Sequence, residues 1–544
     1  MRRLAESLRG TAATSRRPFA GTLLGKAKAA AAGSDDAATP MSTAWFERLE
    51  KAAPNWAAAY FAEAVTPDSI KLDDAKRGMS TSGAAPPVSV AKGSYAATAA
   101  AAGTAAPLVV AVTDDVSLSG FATRYGVAAT MFHHVTEVSD HPSVHWLRRC
   151  GARFLGKLRC ATPFAYTDAL VVEAYPPAQA VAAGVCGFAM VGSIVGCAGL
   201  NAPCSAPVVG FTPSRASLPR NRKPPFSRVR SLGFVGPDLP RIAAGWNLVA
   251  AAAAGAASDA AAAKATSSAA SPAGEEEDDA DRPATIAPED KEPLIVGIPA
   301  TWLDKVNGCA PGTATRLVHA MKLATGTGRR PGRRPIDLQP VELDWELNEL
   351  MDLTNIIGAF EFAEALKAKK LDGDGAIAAL PEGTVAMFRE GAALTEDVYT
   401  AAKARVDRFV GEWVEAMQDV DCVLVPLTAA PHNVSAQKTL ATTLPFALMG
   451  CPAVSTRLPL TPIVREALLA VAAPAGFDAF AATDMAPKSS GKDGAAAMFG
   501  VIAPAPDEAR TALSTLPVAV IGEAGQDTLV LESARELLDH FAVA

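Results

Sequence analysis

The chain has 544 residues, of which 49% are hydrophobic, so it can bury a large core in one or several domains. Its formal net charge is -7, and Lys and Arg are scattered along the sequence, which excludes the basic surface typical of nucleic-acid-binding proteins. The cysteines form no CxxC pair and have no histidine at metal-ligand spacing, so we expect reduced, mostly buried thiols and no metal site.

The first 33 residues have the composition of an organelle transit peptide. Ser, Thr and Ala fill most of the uncharged positions, Glu6 is the only acid, and the basic residues are Arg2, Arg3, Arg9, Arg16, Arg17, Lys26 and Lys28. Leu4 and Leu8 lie one helical turn apart, as in a mitochondrial presequence, although a chloroplast transit peptide would look similar. Residues 1–33 therefore predict targeting to a mitochondrion or chloroplast; the alternative is a basic tail on a cytosolic protein.

Strand-like and helix-like patterns alternate after this segment. VVAVT at 109–113 and FLGKL at 154–158 are short apolar runs that indicate buried strands, and residues 141–151 between them have a helical pattern. Such alternation favours a sheet flanked by helices.

Residues 180–200 contain no charge and are long enough to cross a bilayer. Five glycines dilute their hydrophobicity, and the bulky apolar residues form no continuous stripe. We therefore expect a buried turn and strand of the core here and no membrane span; membrane anchoring is the weaker alternative.

Residues 249–291 form a low-complexity segment, in which an Ala, Ser and Gly run passes into the acidic run 275–279. This composition predicts disorder, because it cannot bury enough apolar surface to order itself. We interpret it as a loop insertion within one large domain, residues 45–544; the alternative is a linker between two domains.

The second half repeats the alternation of strands and helices. It predicts strands at 294–298, 422–427 and 517–522, a helix around 312–324 and a closing helix at 527–541. The chain as a whole is therefore expected to be an α/β protein.

Seven blocks, in order, resemble the amidase-signature family. The blocks are PLVVAVTDDVSLSGFATRYG at 107–126, SVHWLRRCGARFLGKLRCATPFA at 143–165, QAVAAGVCGFAMVGSIVGCAGLNAPCSAPVVGFTPS at 179–214, SLGFVGP at 231–237, VDCVLVPLTAAP at 420–431, LPFALMGCPAVSTRLPL at 444–460 and LPVAVIGEAGQDTLVLESARELL at 516–538. The resemblance implies the family's fold, a mixed central β-sheet flanked by helices in an α/β/α arrangement, with no cofactor.

The resemblance also places the family's catalytic residues, a lysine, a bridging serine and a nucleophilic serine, on substituted positions. An ungapped placement puts Thr113 at the lysine, Glu173 at the bridging serine and Cys197 at the nucleophile. The oxyanion turn falls on Ile194, Val195 and Gly196, and the β-branched Val195 replaces a glycine. A threonine cannot serve as a base, so the chain resembles a catalytically degenerate member.

Two functional hypotheses follow. The first is a pseudoamidase that acts as a binding or assembly module in an organelle, with a protein partner or a small amide ligand. The second is an active amide hydrolase or amidotransferase subunit that uses Cys197, with Glu173 as its base. Proton transfer from a thiol to a carboxylate is uphill by about 6 kcal/mol at ordinary pKa values, which disfavours the second. Lys157 falls on a lysine common in the family and is interpreted as structural.

Overall fold

The structure is a computed structural model. It describes residues 43–65, 108–123, 137, 139–160, 175–193, 198–218, 231–250, 292–305, 317–318, 321–322, 333–368, 372–378, 380, 382–427, 442–459 and 515–541. The predicted transit peptide, residues 1–33, lies outside the described residues.

The described strands are β1 (Phe61–Ala64), β2 (Val109–Thr113), β3 (Arg153–Leu158), β4 (Phe188–Ser193), β5 (Val209–Thr212), β6 (Ser231–Gly236), β7 (Leu294–Ile298), β8 (Ile336–Pro340), β9 (Cys422–Pro426), β10 (Ala453–Pro459) and β11 (Thr515–Ile521). The helices are α1 (Thr43–Ala52), α2 (Trp56–Tyr60), α3 (Pro142–Arg149), α4 (Pro176–Ala182), α5 (Ala198–Ser205), α6 (239–250), α7 (Ala300–Lys305), α8 (Leu347–Ala368), α9 (Asp374–Ala378), α10 (Glu382–Ala393), α11 (Glu396–Ala416), α12 (Leu444–Met449) and α13 (Asp527–Phe541).

The described strands form one mixed sheet in the order β1-β3-β2-β4-β6-β5-β10-β11-β9-β7-β8, and helices flank it. Its central strands are buried along their whole length; every residue of β2 and β9 is buried, for example. Runs of Val, Leu and Ile suit such strands, because both faces of the sheet are covered by helices. The expected α/β fold with a mixed central sheet is confirmed.

Two groups of parallel strands stand at opposite flanks of the sheet. The first group is β3, β2 and β4, and the second is β9, β7 and β8. Between β4 and β9 the sheet passes through β6, β5, β10 and β11, and all five pairings along this path are antiparallel. Because each antiparallel pairing reverses the strand direction and five is an odd number, β9 runs opposite to β4. The two groups therefore run in opposite directions, and their carboxyl ends lie at opposite edges of the sheet.

Most of the elements predicted from sequence are confirmed. Strands 109–113 and 294–298 and helix 527–541 have the predicted bounds, and the other predicted strands differ by one or two residues at an end. Of the helix expected around 312–324 the structure describes four residues, all helical.

The described residues of the uncharged stretch 180–200 include the end of α4, the buried strand β4 and the start of α5, in agreement with the expected buried turn and strand of the core. No helix in the described part of the chain is both long and apolar enough to cross a membrane.

The predicted insertion at 249–291 is described only at its start. Val249 lies in α6 and is fully buried, so the helix extends into the segment that composition assigned to the insertion. Residues 251–291 lie outside the described residues.

Candidate active site

The carboxyl ends of β3, β2 and β4 meet at one edge of the sheet, where open α/β sheets place their ligands. β2 ends at Thr113, and β4 ends at Ser193, just before the predicted oxyanion turn. Thr113 is the one predicted site residue that the structure describes. The others, Glu173, Ile194, Val195, Gly196 and Cys197, lie outside the described residues, so the distance from the Cys197 sulfur to a base is not defined.

Thr113 is fully buried, and its hydroxyl forms two hydrogen bonds. The hydroxyl donates to Asp115 Oδ1 at 2.5 Å and accepts the backbone N–H of Gly192 in β4 at 2.8 Å. It thus continues the contact between β2 and β4 beyond their last backbone pair, Val112 with Met190. At the position where the sequence resemblance places the lysine of amidase-signature enzymes, the chain has a side chain that joins two strands.

The carboxylate of Asp115 lies directly over Gly192. A Cβ atom added to Gly192 would lie 1.8 Å from Asp115 Oδ2, so any larger residue would displace the carboxylate. Asp115 is only 3% exposed. The buried carboxyl group of Asp115 therefore lies at the end of β4, close in sequence to residues 194–196, where the resemblance predicts the oxyanion turn.

Lys157 supplies the neighbouring positive charge. It is fully buried at the end of β3, opposite Val112 of β2. Its ammonium donates to the backbone carbonyls of Asp114, at 3.3 Å, and Val116, and to Thr123 Oγ1 at 3.0 Å. Because an ammonium has three N–H groups, these acceptors occupy all of them.

Two opposing effects act on the protonation of Lys157. Burial lowers the pKa of the ammonium, while the charges of Asp114 and Asp115 oppose that shift. The three acceptors match the charged form, so the geometry fits a cation that holds the loop after β2 in place. This arrangement agrees with the structural interpretation of Lys157, and it leaves the amine no free position from which to act as a base.

Sequence reasoning did not identify Asp115 or Cys160 as part of this edge. Cys160 is half-buried, and its sulfur lies 3.9 Å from Asp115 Oδ1. The only available signals were a second acid after Asp114 and a thiol just past the end of a strand, and neither is specific. Elsewhere in the described chain, burial raises the pKa of Cys186 and Cys422 to about 12, as expected for inert buried thiols.

Helix α5, which begins directly after Cys197, lies very close to the sheet. A Cβ atom at Gly210 of β5 would lie 1.9 Å from the carbonyl oxygen of Gly199, and a Cβ at Gly199 would lie 3.3 Å from Val191 Cγ2. Gly199 is where the resemblance places an arginine of the family. A Cβ atom at Gly199 would be in tight contact with Val191, so a larger residue there would require a small shift of that side chain.

Solved structures of other proteins have a fold similar to that of this chain. No protein-family model matches the chain, and no curated protein matches it. Similar solved structures include an amidase, which has a TM-score of 0.56 and 16% identity and covers 91% of this chain and 96% of its own. A protein of a vestigial complex linked to the origins of an s-triazine catabolic enzyme has a TM-score of 0.55 and 15% identity, with 96% of both chains covered. An allophanate hydrolase from Kluyveromyces lactis has a TM-score of 0.53 and 13% identity and covers 91% of this chain and 69% of its own.

Proposed function

We propose that this protein with an amidase-signature fold has lost the lysine–serine–serine chemistry of amidases and serves as a binding or assembly module in an organelle. The observation that carries the proposal is the hydroxyl of Thr113, which is bonded on both sides at the position of the catalytic lysine. A base must be free to accept a proton from the nucleophile, and this group is not.

The charges at the same edge support the proposal. Catalysis by a thiol would form negative charge on the thiolate and on an oxyanion, and a carboxylate buried at the end of β4, such as Asp115, would oppose the formation of such a charge near that strand end. Lys157 does not offset this effect by direct contact, because its three donors are bonded to the loop between Asp114 and Thr123.

The alternative is an amide hydrolase or amidotransferase subunit that uses Cys197, the one substitution that keeps a nucleophile. The fold of the amidase and allophanate hydrolase structures keeps this alternative open, since their names state hydrolytic activities. It requires a base other than Thr113, with Glu173 as the candidate.

Activity profiling separates the two. The purified chain and its Cys197→Ser variant are treated with a fluorophosphonate probe, an iodoacetamide probe and a panel of small amides. We expect no fluorophosphonate labelling, no faster alkylation of Cys197 than of Cys150, a half-buried thiol at the end of α3, and no turnover. Rapid labelling of Cys197, or turnover that Cys197→Ser abolishes, would establish the alternative.

The organelle assignment is tested separately. Residues 1–33 are fused to a fluorescent protein, and a second fusion carries Arg2, Arg3 and Arg9 changed to Ala. We expect import of the first fusion into mitochondria or chloroplasts and loss of import in the second. A diffuse cytosolic signal from both would remove the organelle from the proposal.

A further inference from the structure

The strand at one end of the sheet, β8, has an edge that no described strand covers. It pairs with β7 on one side, and β7 is its only neighbour in the described sheet. β8 is also the only described strand without a buried residue, and Asp337 and Pro340 are exposed. An open strand edge pairs readily with a further strand through its backbone, so this edge is a surface at which another strand can bind.

The hydrogen bonds to β7 show which backbone groups of β8 point outward. Just after β8, Val341 donates to the carbonyl of Ile298 at 3.0 Å. Because the direction of the backbone groups alternates along a strand, the odd-numbered residues of β8 face β7. The N–H and C=O groups of Ile336 and Leu338 and the C=O group of Pro340 therefore point away from β7.

The side chains give this edge one apolar and one polar face. Ile336 and Leu338 lie on the face that packs against the core. Asp337 and Gln339 lie on the other face, where Gln339 Nε2 donates to Asp337 Oδ2 at 3.4 Å. A strand that pairs well with β8 must therefore match a carboxylate and an amide on one face and aliphatic side chains on the other.

We propose that β8 of a second copy of this chain pairs with this edge, antiparallel and about a two-fold axis at Leu338. The outward N–H of each Leu338 then donates to the carbonyl of Leu338 in the other copy. The N–H of each Ile336 donates to the carbonyl of Pro340 in the other copy, a bond that needs no N–H at the proline. The two sheets become one sheet across the dimer, with the leucines in contact on its apolar face.

The polar face selects this register and the second copy. Asp337 of one strand comes directly opposite Gln339 of the other, so a carboxylate meets an amide donor in two symmetric pairs. A shift that places Ile336 opposite Leu338 would instead bring the two Asp337 carboxylates together, which is unfavourable. Charged residues and prolines ordinarily protect strand edges, and those of β8 disfavour other registers while they allow this one. A strand of unrelated sequence would gain the backbone bonds alone.

This surface lies at the far end of the sheet from β2, which carries Thr113. Pairing through β8 uses no residue of the candidate active site, so it does not depend on whether the proposed loss of catalysis is correct. A pair of short strands forms a small interface, and small interfaces give weak, reversible complexes. We therefore expect a dimer with a Kd of about 10 μM.

Sedimentation equilibrium of the full chain, at concentrations of about 1–100 μM, tests the proposal. Gln339→Glu places a carboxylate opposite Asp337 of the other copy and should weaken the dimer about fivefold, whereas Gln339→Lys should strengthen it about fivefold. Gln418→Glu is the matched control, because it makes the same charge change at an exposed residue just after α11 and should leave the Kd unchanged.

Leu338→Pro tests the backbone pairing. It removes the outward N–H of Leu338 but none of the N–H groups that face β7, so we expect the variant to fold and its Kd to rise by a factor of about ten or more. Thermal unfolding checks that the variant is folded. If it is not, the opposite effects of the two Gln339 variants decide.

Two outcomes would overturn the proposal. A chain that stays monomeric at about 100 μM would exclude the second copy as the occupant, even if a foreign peptide bound at this edge. A dimer with the same Kd in Gln339→Glu and Gln339→Lys would place the interface on another surface.

Discussion

The polar side chains near the carboxyl ends of the two groups of parallel strands differ in whether they have hydrogen-bond partners. At the edge formed by β3, β2 and β4, the side chains of Thr113 and Lys157 have hydrogen-bond partners within the loop and strands around them. Just after the end of β7, by contrast, the buried indole Nε1 of Trp302 has no hydrogen-bond partner among the residues that the structure describes. Paired buried polar groups stabilise the fold, whereas an unpaired buried donor costs free energy.

If Lys157 is a structural cation, its removal should be the most damaging change at the first edge. Lys157→Met leaves Asp115 without its buried counter-charge and the carbonyls of Asp114 and Val116 without a donor. We expect a loss of about 3–5 kcal/mol in the free energy of unfolding, measured with urea. The control is Lys367→Met, whose exposed pair with Glu364 should contribute less than about 0.5 kcal/mol. Equal losses would contradict the structural role.

Gly192→Ala tests the position of the Asp115 carboxylate. The added Cβ would lie 1.8 Å from Oδ2, so we expect a loss of about 3 kcal/mol, at the upper end for overpacking. Gly411→Ala in α11 is the matched control, because it meets no atom within 4 Å and should stabilise the helix by about 1 kcal/mol. A neutral Gly192→Ala would mean that Asp115 lies elsewhere.

Thr113→Val tests whether the hydroxyl joins β2 to β4. The variant leaves the N–H of Gly192 unpaired and removes a donor to Asp115, so we expect a loss of about 2 kcal/mol in urea unfolding. Thr354→Val is the control; it removes only a hydroxyl bond to the carbonyl of Leu350 within α8 and should cost less. Thr113→Lys, which introduces the residue that the sequence resemblance expects at this position, should destabilise the fold without creating amide turnover.

The smallest effect concerns the ion pairs beside Trp345. Arg405 donates to Glu349 and lies 3.9 Å from Glu412, the partner of Trp345. The bond from Arg405 lowers the pKa of Glu349. Its contribution to stability is therefore present above the ordinary carboxyl pKa and is lost as the pH falls through the lowered value.

Glu349→Gln should accordingly make the decline of stability in acid shallower. The change should be less than about 1 kcal/mol, because the pair is open to solvent. Urea unfolding at pH 7 and pH 3 measures it, and an equal decline in both proteins would contradict the assignment.

The sequence could predict most of the sheet but only part of the first edge. Strands such as 109–113 and 294–298 are marked by short runs rich in β-branched residues, a pattern that depends only on neighbouring residues. The bond from Lys157 to Thr123 joins residues 34 apart, and that from Gly192 to Thr113 joins residues 79 apart. No local pattern encodes such contacts, so a lysine in a buried strand could be interpreted as structural, but its partners could not be named.

Two helices also show how far local sequence patterns can predict the fold. The long helices α8 and α11 were not among the predicted elements, although Thr395 caps α11 by accepting the N–H of Val398 and acids fill its first turn. Much of α8 is buried because α10, α11 and α12 pack around it, and a helix that is buried on several sides has a weaker periodic pattern of polar and apolar residues, by which helices are recognised.

The most direct test of the proposed loss of catalysis is the formation of an acyl intermediate. The purified chain and Cys197→Ala are incubated with an activated acyl anilide, and the intact mass of each is measured before and after. We predict no acyl adduct that depends on Cys197, because the residue that the sequence resemblance aligns with the catalytic lysine is Thr113, whose hydroxyl is bonded to Asp115 and Gly192. An adduct on the unchanged chain that is absent from Cys197→Ala and decays with release of the acid would contradict the proposal.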